Sequence, residues 1–344
     1  MTAPLLQVEG LSKTYQGRMG LVGRLLGRKP AMVRAVSDVS FDVGRGEILG
    51  LIGESGCGKS TLGRAILRLH EPTAGRVTFD GTDVTALSRA GMTAMRRRMQ
   101  IIFQDPYASL NPRRTVAEIV GLPLQLHGLA KGRAQIRDRV AMMLETVGLK
   151  AGQIDRYPHQ FSGGQRQRIG IARALISRPD FVVCDEPVSA LDVSIQAQII
   201  QLLLELKREF GLTYLFISHD ISVIGYLSDR VAVMYLGEIV ETGPVEAVMA
   251  GPRHPYTQSL MSAVPEVDVN APRKRVRLTG DLPSPLNPPS GCVFRTRCPH
   301  ATPLCLKVVP TPDPADSDTH RVACHYWKDI AAGTHTHTAK GEAS

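Results

Sequence analysis

Long apolar runs, aromatic residues and a leader segment are what this 344-residue sequence has least of. No apolar run reaches the roughly 18 residues that a membrane-spanning helix needs, so we expect no such helix. The first residues, Met1-Thr2-Ala3-Pro4, lack the basic and apolar regions of a signal peptide. We therefore expect a cytoplasmic chain whose contact with a membrane is peripheral, at the cytoplasmic face.

Aromatic residues make up 5% of the sequence, and tryptophan occurs once. The net charge of +9 permits an anionic partner such as nucleic acid, lipid headgroups or a nucleotide. However, the basic clusters Arg96-Arg97-Arg98 and Arg273-Lys274-Arg275 are not interleaved with aromatic side chains on which bases could stack. We therefore expect no nucleic-acid partner.

A phosphate-binding pattern, G-x-x-x-x-G-K-[ST], follows the apolar run 48–52 and precedes a stretch with helical spacing. Glycines let the backbone fold tightly, so that its N–H groups and the positive end of the helix face the phosphates. Lys59 is expected to reach the β- and γ-phosphates, and the Ser60 hydroxyl to ligate Mg²⁺. The alternative is a glycine-rich turn that only caps a helix. The predicted nucleotide-binding residues are Gly53, Glu54, Ser55, Gly56, Cys57, Gly58, Lys59, Ser60 and Thr61.

Two carboxylates end the apolar run 181–184. This arrangement places one acid beside a nucleotide-bound metal and the next beside the attacking water. We therefore predict that Asp185 holds Mg²⁺ and that Glu186 is the general base, rather than two acids that only end a strand.

A second anion-directed motif precedes a strongly helical stretch at residues 166–175. Ser162 can cap that helix while Gly163 and Gly164 expose backbone N–H groups at its positive end. Together with Gln165, these residues resemble the S-G-G-Q signature of the ATP-binding cassette (ABC) family of transport ATPases, with Phe161 in place of the more usual leucine. In that family the signature of one subunit covers the ATP held by another, so the resemblance implies a head-to-tail dimer that hydrolyses ATP with Mg²⁺.

The resemblance extends to four further positions. Gln104 matches the glutamine that contacts Mg²⁺ and water, and His219 matches the switch histidine that senses the γ-phosphate. Asp192 ends the loop that crosses the dimer interface, and Tyr15 matches the aromatic residue that stacks on adenine. The resemblance therefore implies that Lys59, Glu186 and His219 are catalytic.

Several segments, including residues 104–113, 185–194 and 254–257, look like the ATPase subunits of oligopeptide and dipeptide permeases. Such importers pair two similar ATPases with two membrane subunits and an external peptide-binding protein. The resemblance implies that this chain drives peptide uptake beside a similar, non-identical ATPase. The alternatives are an importer of nickel, glutathione or another small solute, and a soluble ABC ATPase that does not transport.

Four of the six cysteines cluster near the C-terminus of the chain. In a reducing compartment such a cluster is more typical of a metal site than of disulfides. We expect a [4Fe-4S] cluster, as the permease resemblance also implies, with zinc or no metal as alternatives. The predicted ligands are Cys292, Cys298, Cys305 and Cys324.

The order of strand-like and helix-like segments predicts an α/β protein with a helical insertion at about 107–176. The ABC resemblance implies a P-loop NTPase core with a mixed sheet, in which this insertion is the helical ABC subdomain. A composition change near residue 250 predicts a nucleotide-binding domain over 1–250 and a linker over 251–290. A small cysteine-rich extension over 291–330 and a disordered tail over 331–344 would follow. The basic insertion at 17–34 is expected to be a solvated loop or an interfacial segment.

Overall fold

The computed structural model describes residues 3–17, 31–263, 280–315, 317 and 319–335 of the chain. Most of the basic insertion and of the predicted disordered tail therefore lies outside the described residues. Within those ranges, no helix combines the length and the apolar character needed to cross a membrane.

Two sheets make up the frame of the molecule. Their strands are β1 (Leu6–Gln16), β2 (Met32–Val43), β3 (Ile48–Ile52), β4 (Ala74–Phe79), β5 (Thr82–Asp83), β6 (Met99–Ile102), β7 (Phe181–Asp185), β8 (Thr213–Ile217), β9 (Arg230–Tyr235), β10 (Glu238–Pro244), β11 (Asp313–Pro314) and β12 (Arg321–Val322). The larger sheet has the order β11-β12-β10-β9-β3-β8-β7-β6, and the smaller has the order β2-β1-β4-β5. In the larger sheet β9, β3, β8, β7 and β6 run parallel, whereas β10 is antiparallel to β9. The predicted mixed sheet is thus confirmed.

Strand β3 lies at the centre of the larger sheet and is buried along its whole length. Because side chains alternate between the two faces of a strand, Ile48 and Ile52 join one hydrophobic core while Leu49 and Leu51 join the other. A strand that is buried on both faces has apolar residues at consecutive positions, so β3 can be recognised in the sequence as a continuous apolar run.

The helices lie mainly in the crossovers and in the segment between β6 and β7. They are α1 (Lys59–Ile66), α2 (Arg89–Arg98), α3 (Pro106–Ser109), α4 (Val116–Leu126), α5 (Gly132–Thr146), α6 (Gly163–Leu175), α7 (Val193–Phe210), α8 (Ile221–Leu227), α9 (Val245–Ala250), α10 (Pro255–Ser262), α11 (Pro303–Lys307) and α12 (Trp327–Ala331). Helices α3 to α6 occupy the segment predicted to be helical. Helix α7 ends at Gly211, whose φ of 66° is left-handed, a conformation that glycine commonly adopts at helix ends.

The C-terminal part of the chain packs directly on the strands and helices that precede it. Helix α10 lies within the predicted linker, and its Tyr256 and Thr257 are fully buried. Farther on, β12 pairs with β10, and His320 Nε2 lies 2.8 Å from Glu241 Oε1 with both side chains buried. The stretch 251–290 is therefore not extended throughout, and the division into domains stays a prediction.

Candidate functional site

The phosphate-binding pattern forms the turn between β3 and α1. Gly53 and Gly58 have φ values of 155° and 109°, and a Cβ atom at either would lie 2.1 Å from a backbone carbonyl oxygen. Glycine is therefore required at both positions. The Lys59 ammonium donates to the carbonyl oxygens of Gly53 at 2.7 Å and Glu54 at 2.9 Å. Its side chain is thus folded back over the loop where phosphates would lie.

A cavity of about 250 Å³ opens over this loop. Residues 55–61, Gln104 and Glu186 line it. Arg34, Gly237 and Pro285, which come from distant parts of the chain, also line it. The cavity therefore brings together the phosphate loop, the predicted base and the predicted glutamine.

Asp185 ends β7 next to the start of α1. Its carboxylate is fully buried and accepts a hydrogen bond of 2.6 Å from the Ser60 hydroxyl. The Arg64 guanidinium lies 3.3 Å from the other carboxylate oxygen. Because a hydroxyl and a carboxylate are ligands that Mg²⁺ accepts, Ser60 and Asp185 fit the predicted metal position.

Glu186 follows in a left-handed backbone conformation with φ of 46°, which is uncommon for a residue other than glycine. Its Oε2 atom accepts a hydrogen bond of 2.9 Å from the Gln104 amide and lies 3.3 Å from His219 Nδ1. Strained backbone of this kind concentrates at functional sites. The fold thus places the predicted base, glutamine and switch histidine at one carboxylate oxygen.

The signature motif begins helix α6. Ser162 and Gln165 form a reciprocal capping box, in which each side chain bonds to the backbone of the other residue. Gly164 packs so close to Ile195 that a Cβ atom would lie 2.6 Å from its Cγ2. None of the motif's residues lines the cavity over the phosphate loop. The signature motif therefore lies at a different place on the same chain, and its role as a second anion site stays a prediction.

Tyr15 and Asp192 are also placed apart from that cavity. The Tyr15 hydroxyl is hydrogen-bonded to His70 Nδ1, and the Lys13 ammonium lies 4.9 Å from the centre of its ring. Asp192 occupies the position before α7, yet its side chain makes no capping hydrogen bond there. The roles of both residues stay predictions.

Two arginines of the site were missed by reasoning from sequence. Arg64 lies four residues after Ser60 on α1, and this spacing, which puts both on one helix face, could have indicated its contact with Asp185. Arg297 Nη1 contacts both carboxylate oxygens of Glu54, at 3.0 and 2.8 Å. These two residues are 243 positions apart, so no local pattern could have indicated their contact.

The four C-terminal cysteines are free thiols in one neighbourhood. Burial raises the pKa of Cys292 to about 11, of Cys298 to about 12 and of Cys324 to about 11, with further increases from the charges of neighbouring cysteines. Over the described part of the chain, no group of three or more His, Cys, Asp or Glu side chains could hold a metal ion. The expected [4Fe-4S] cluster or zinc ion is therefore not supported by this arrangement.

Comparison with known proteins gives the family. Residues 36–189 match a family model described as ABC transporter, and residues 240–305 match one described as oligopeptide/dipeptide transporter, C-terminal region. A putative peptide import ATP-binding protein of Brucella ovis is 55% identical over 307 residues, which are 89% of this chain and 93% of that protein. The oligopeptide transport ATP-binding protein AppF of Bacillus subtilis is 49% identical, over 94% of this chain and 97% of its own length.

Among solved structures, a dimeric ATP-binding cassette in a post-hydrolysis state, bound to ADP and Pi, is similar with a TM-score of 0.61. It is 31% identical, and the match covers 70% of this chain and 98% of that one. The phosphate loop, the acidic strand end and the separate signature helix agree with these similarities. The chain belongs to the ABC transporter family, as one of its ATP-binding proteins.

Proposed function

We propose that this protein is the ATPase subunit of an importer that takes up oligopeptides or dipeptides through separate membrane subunits. Similarity to AppF and to the dipeptide transport ATP-binding protein DppF of Haemophilus influenzae, which is 47% identical, supports this proposal. The match of residues 240–305 to the C-terminal region of oligopeptide/dipeptide transporters favours peptides over nickel, glutathione or another solute. It also favours a transporter subunit over a soluble ABC ATPase.

The observation that carries the ATPase proposal is the separation of the phosphate-loop cavity from the signature helix. Lys59, Glu186 and Gln104 surround one cavity, whereas the exposed Ser162 begins a helix that does not reach it. Each surface on its own would leave one side of a bound triphosphate open to water. Two subunits placed head to tail would close both sites, and the similar cassette bound to ADP and Pi is itself a dimer.

The residues around the cavity have different roles in ATP hydrolysis. The Lys59 ammonium and the loop N–H groups neutralise and orient the phosphates. Bound Mg²⁺, held by Ser60 and Asp185 with Gln104 nearby, would supply further charge compensation. Glu186 takes the proton of the attacking water, while Gln104 and His219 fix the orientation of its carboxylate. The His219 side chain is 57% exposed, and its proposed role is to contact the terminal phosphate.

The partners follow from the same proposal. A similar, non-identical ATPase completes the dimer, two integral membrane subunits form the passage, and an extracytoplasmic protein delivers the peptide. The chain would then sit peripherally on the cytoplasmic face of the membrane.

The test is to purify the tagged chain from membranes and identify the proteins that accompany it. ATP hydrolysis by the reconstituted complex should rise with a peptide-loaded binding protein. A complex that responds to a metal ion or glutathione but not to peptides would contradict the proposal.

Although the described side chains do not stand in position for a metal ion, we also propose that Cys292, Cys298, Cys305 and Cys324 come together on a [4Fe-4S] cluster, with zinc as the alternative. The support is the presence of four free cysteines, of which Cys292, Cys298 and Cys324 have pKa values raised by burial and by neighbouring cysteines. Bound metal would displace the protons that such thiols retain. Protein prepared without oxygen should show visible absorption and acid-labile sulfide, and both should be lost in Cys298→Ser. Colourless protein that contains zinc would select the alternative, and metal-free protein would refute both.

A further inference from the structure

The C-terminal segment of the chain reaches back to the phosphate loop through Arg297. The Nη1 atom of Arg297 donates to both carboxylate oxygens of Glu54, at 3.0 and 2.8 Å. The Arg297 side chain is 9% exposed and that of Glu54 is 26% exposed, so water screens this ion pair little. Charge-assisted contacts of a partly buried arginine are stronger and more directional than those of surface pairs.

A buried aromatic cluster holds the same loop residue from a second side. The Glu54 N–H donates to the Tyr256 hydroxyl at 2.9 Å. The ring of Tyr256 packs against Tyr235 and Phe294, with centroid distances of 4.7 and 5.4 Å. Because Phe294 lies three residues before Arg297, this cluster also anchors the turn that carries the arginine. Side chain and backbone of Glu54 are thus both fixed by residues beyond the strand core.

The position of Glu54 affects the position of the catalytic lysine, Lys59. The carbonyl oxygens of Gly53 and Glu54 accept the two hydrogen bonds that hold the Lys59 ammonium over the loop. Movement of Glu54 would therefore move the acceptors that aim Lys59 at the phosphates. The Glu54 carboxylate is also a negative charge beside an anion site, and a paired guanidinium reduces its repulsion of the triphosphate.

A second contact brings the C-terminal segment to the edge of the same cavity. The carbonyl oxygen of Pro285 accepts a hydrogen bond of 3.1 Å from the Arg34 N–H, and both residues line the cavity over the phosphate loop. The segment after the cassette therefore supplies part of the cavity wall as well as the contact to Glu54.

We propose that Arg297 is a positioning residue for ATP binding. The C-terminal segment thereby contributes to the nucleotide site. This inference rests on the proposed ATPase function. Arg297 acts through Glu54, by fixing the loop and by neutralising a carboxylate next to the phosphates. The consequence is that ATP affinity depends on a residue outside all the motifs that identify the cassette.

The test compares full-length variants by equilibrium binding of a fluorescent ATP analogue and by steady-state hydrolysis. Arg297→Ala should weaken binding about tenfold, which is about 1.4 kcal/mol. Its kcat at saturating ATP should stay within about twofold of wild type, because Arg297 does not touch the reacting atoms. Arg295→Ala is the matched control, since Arg295 lies on the same turn but its side chain bonds to Ser290 rather than to Glu54. It should bind ATP as the wild type does.

A double variant separates this role from a general effect on folding. If Arg297 acts through Glu54, adding Arg297→Ala to Glu54→Gln should change ATP affinity less than about threefold, because paired residues are not additive. A tenfold loss that persists in the Glu54→Gln background would overturn the proposal. So would an Arg297→Ala variant with wild-type affinity and only a lower melting temperature.

Arg297→Lys covers the case in which the alanine variant does not fold. It keeps the charge but loses the planar group, so we expect binding about threefold weaker, and wild-type binding would refute the proposed role. Wild-type protein that neither binds nor hydrolyses ATP would instead refute the ATPase function itself. The two failures are therefore distinguishable.

Discussion

For Glu186, the chemical role could be predicted from the sequence, whereas the backbone conformation and the contacts could not. Its chemistry could be predicted, because two acids after an apolar strand beside a phosphate loop form a recurring arrangement. Its left-handed φ of 46° and its contacts with Gln104 and His219 could not, because they depend on three loops meeting in space. Tyr15 illustrates the converse case, since its predicted contact is with a nucleotide and its observed contact is with His70.

Glu186→Gln should abolish hydrolysis and keep ATP binding. A general base contributes about 100- to 10,000-fold to a rate, so kcat should fall by that factor, while the amide keeps the shape of the side chain. ATP affinity should stay within about threefold of wild type. Lys59→Ala is the contrasting variant and should lose ATP affinity itself. Normal turnover in Glu186→Gln would show that another group is the base.

His254 should make folding stability depend on pH. Burial lowers its pKa from 6.5 to about 4, although the charge of Glu241 opposes this shift. The unfolded chain therefore takes up the proton first, and stability that is complete above pH 6.5 is lost as the pH falls towards 4. Between pH 7 and pH 5 this single group should account for about 2 kcal/mol of lost stability.

His254→Asn tests that dependence, because asparagine can still accept the hydrogen bond from the Tyr256 N–H that begins α10. Urea unfolding at pH 7 and pH 5 should show a smaller difference for the variant than for the wild type. Equal differences in the two proteins would mean that His254 does not titrate on unfolding.

At the scale of elements, most of the fold could be predicted from the sequence. The prediction failed for elements that depend on contacts between residues far apart in the chain. The strands β3 and β7 were visible as apolar runs, and Ser162 marked the start of a helix by its local chemistry. Helix α10 was not visible, because its proline-rich surroundings resemble a linker and its burial comes from distant aromatic residues. The pairing of β12 with β10 was missed for the same reason.

The conformation of the phosphate loop requires glycine at particular positions. Gly58→Ala should destabilise the loop and weaken ATP binding more than about tenfold, because its φ is 109° and a Cβ atom would lie 2.1 Å from the Ala35 carbonyl oxygen. Gly128→Ala is a control with a φ of 62° and open space around it. It should cost only the backbone penalty of about 1–2 kcal/mol and leave ATP binding unchanged. Similar ATP affinities in the two variants would contradict the proposed loop geometry.

At the scale of the whole molecule, the separation of the signature helix from the cavity predicts a division between binding and hydrolysis. Ser162→Arg should leave ATP binding by the isolated chain unchanged, because Ser162 does not line that chain's cavity. In the assembled ATPase pair, hydrolysis at the facing subunit's site should be lost, because the bulky cation would block the anion site offered to that subunit. Loss of ATP binding in the isolated variant would mean that both surfaces serve one chain.

The most direct measurement is the structure of the assembled transporter that carries Glu186→Gln, determined with ATP and Mg²⁺. We predict a triphosphate held by Lys59 of this chain and covered by the serine and glycines that begin the signature helix of the facing ATPase subunit. A triphosphate enclosed by a single chain, with no residue of a second subunit in contact with it, would contradict the shared nucleotide site.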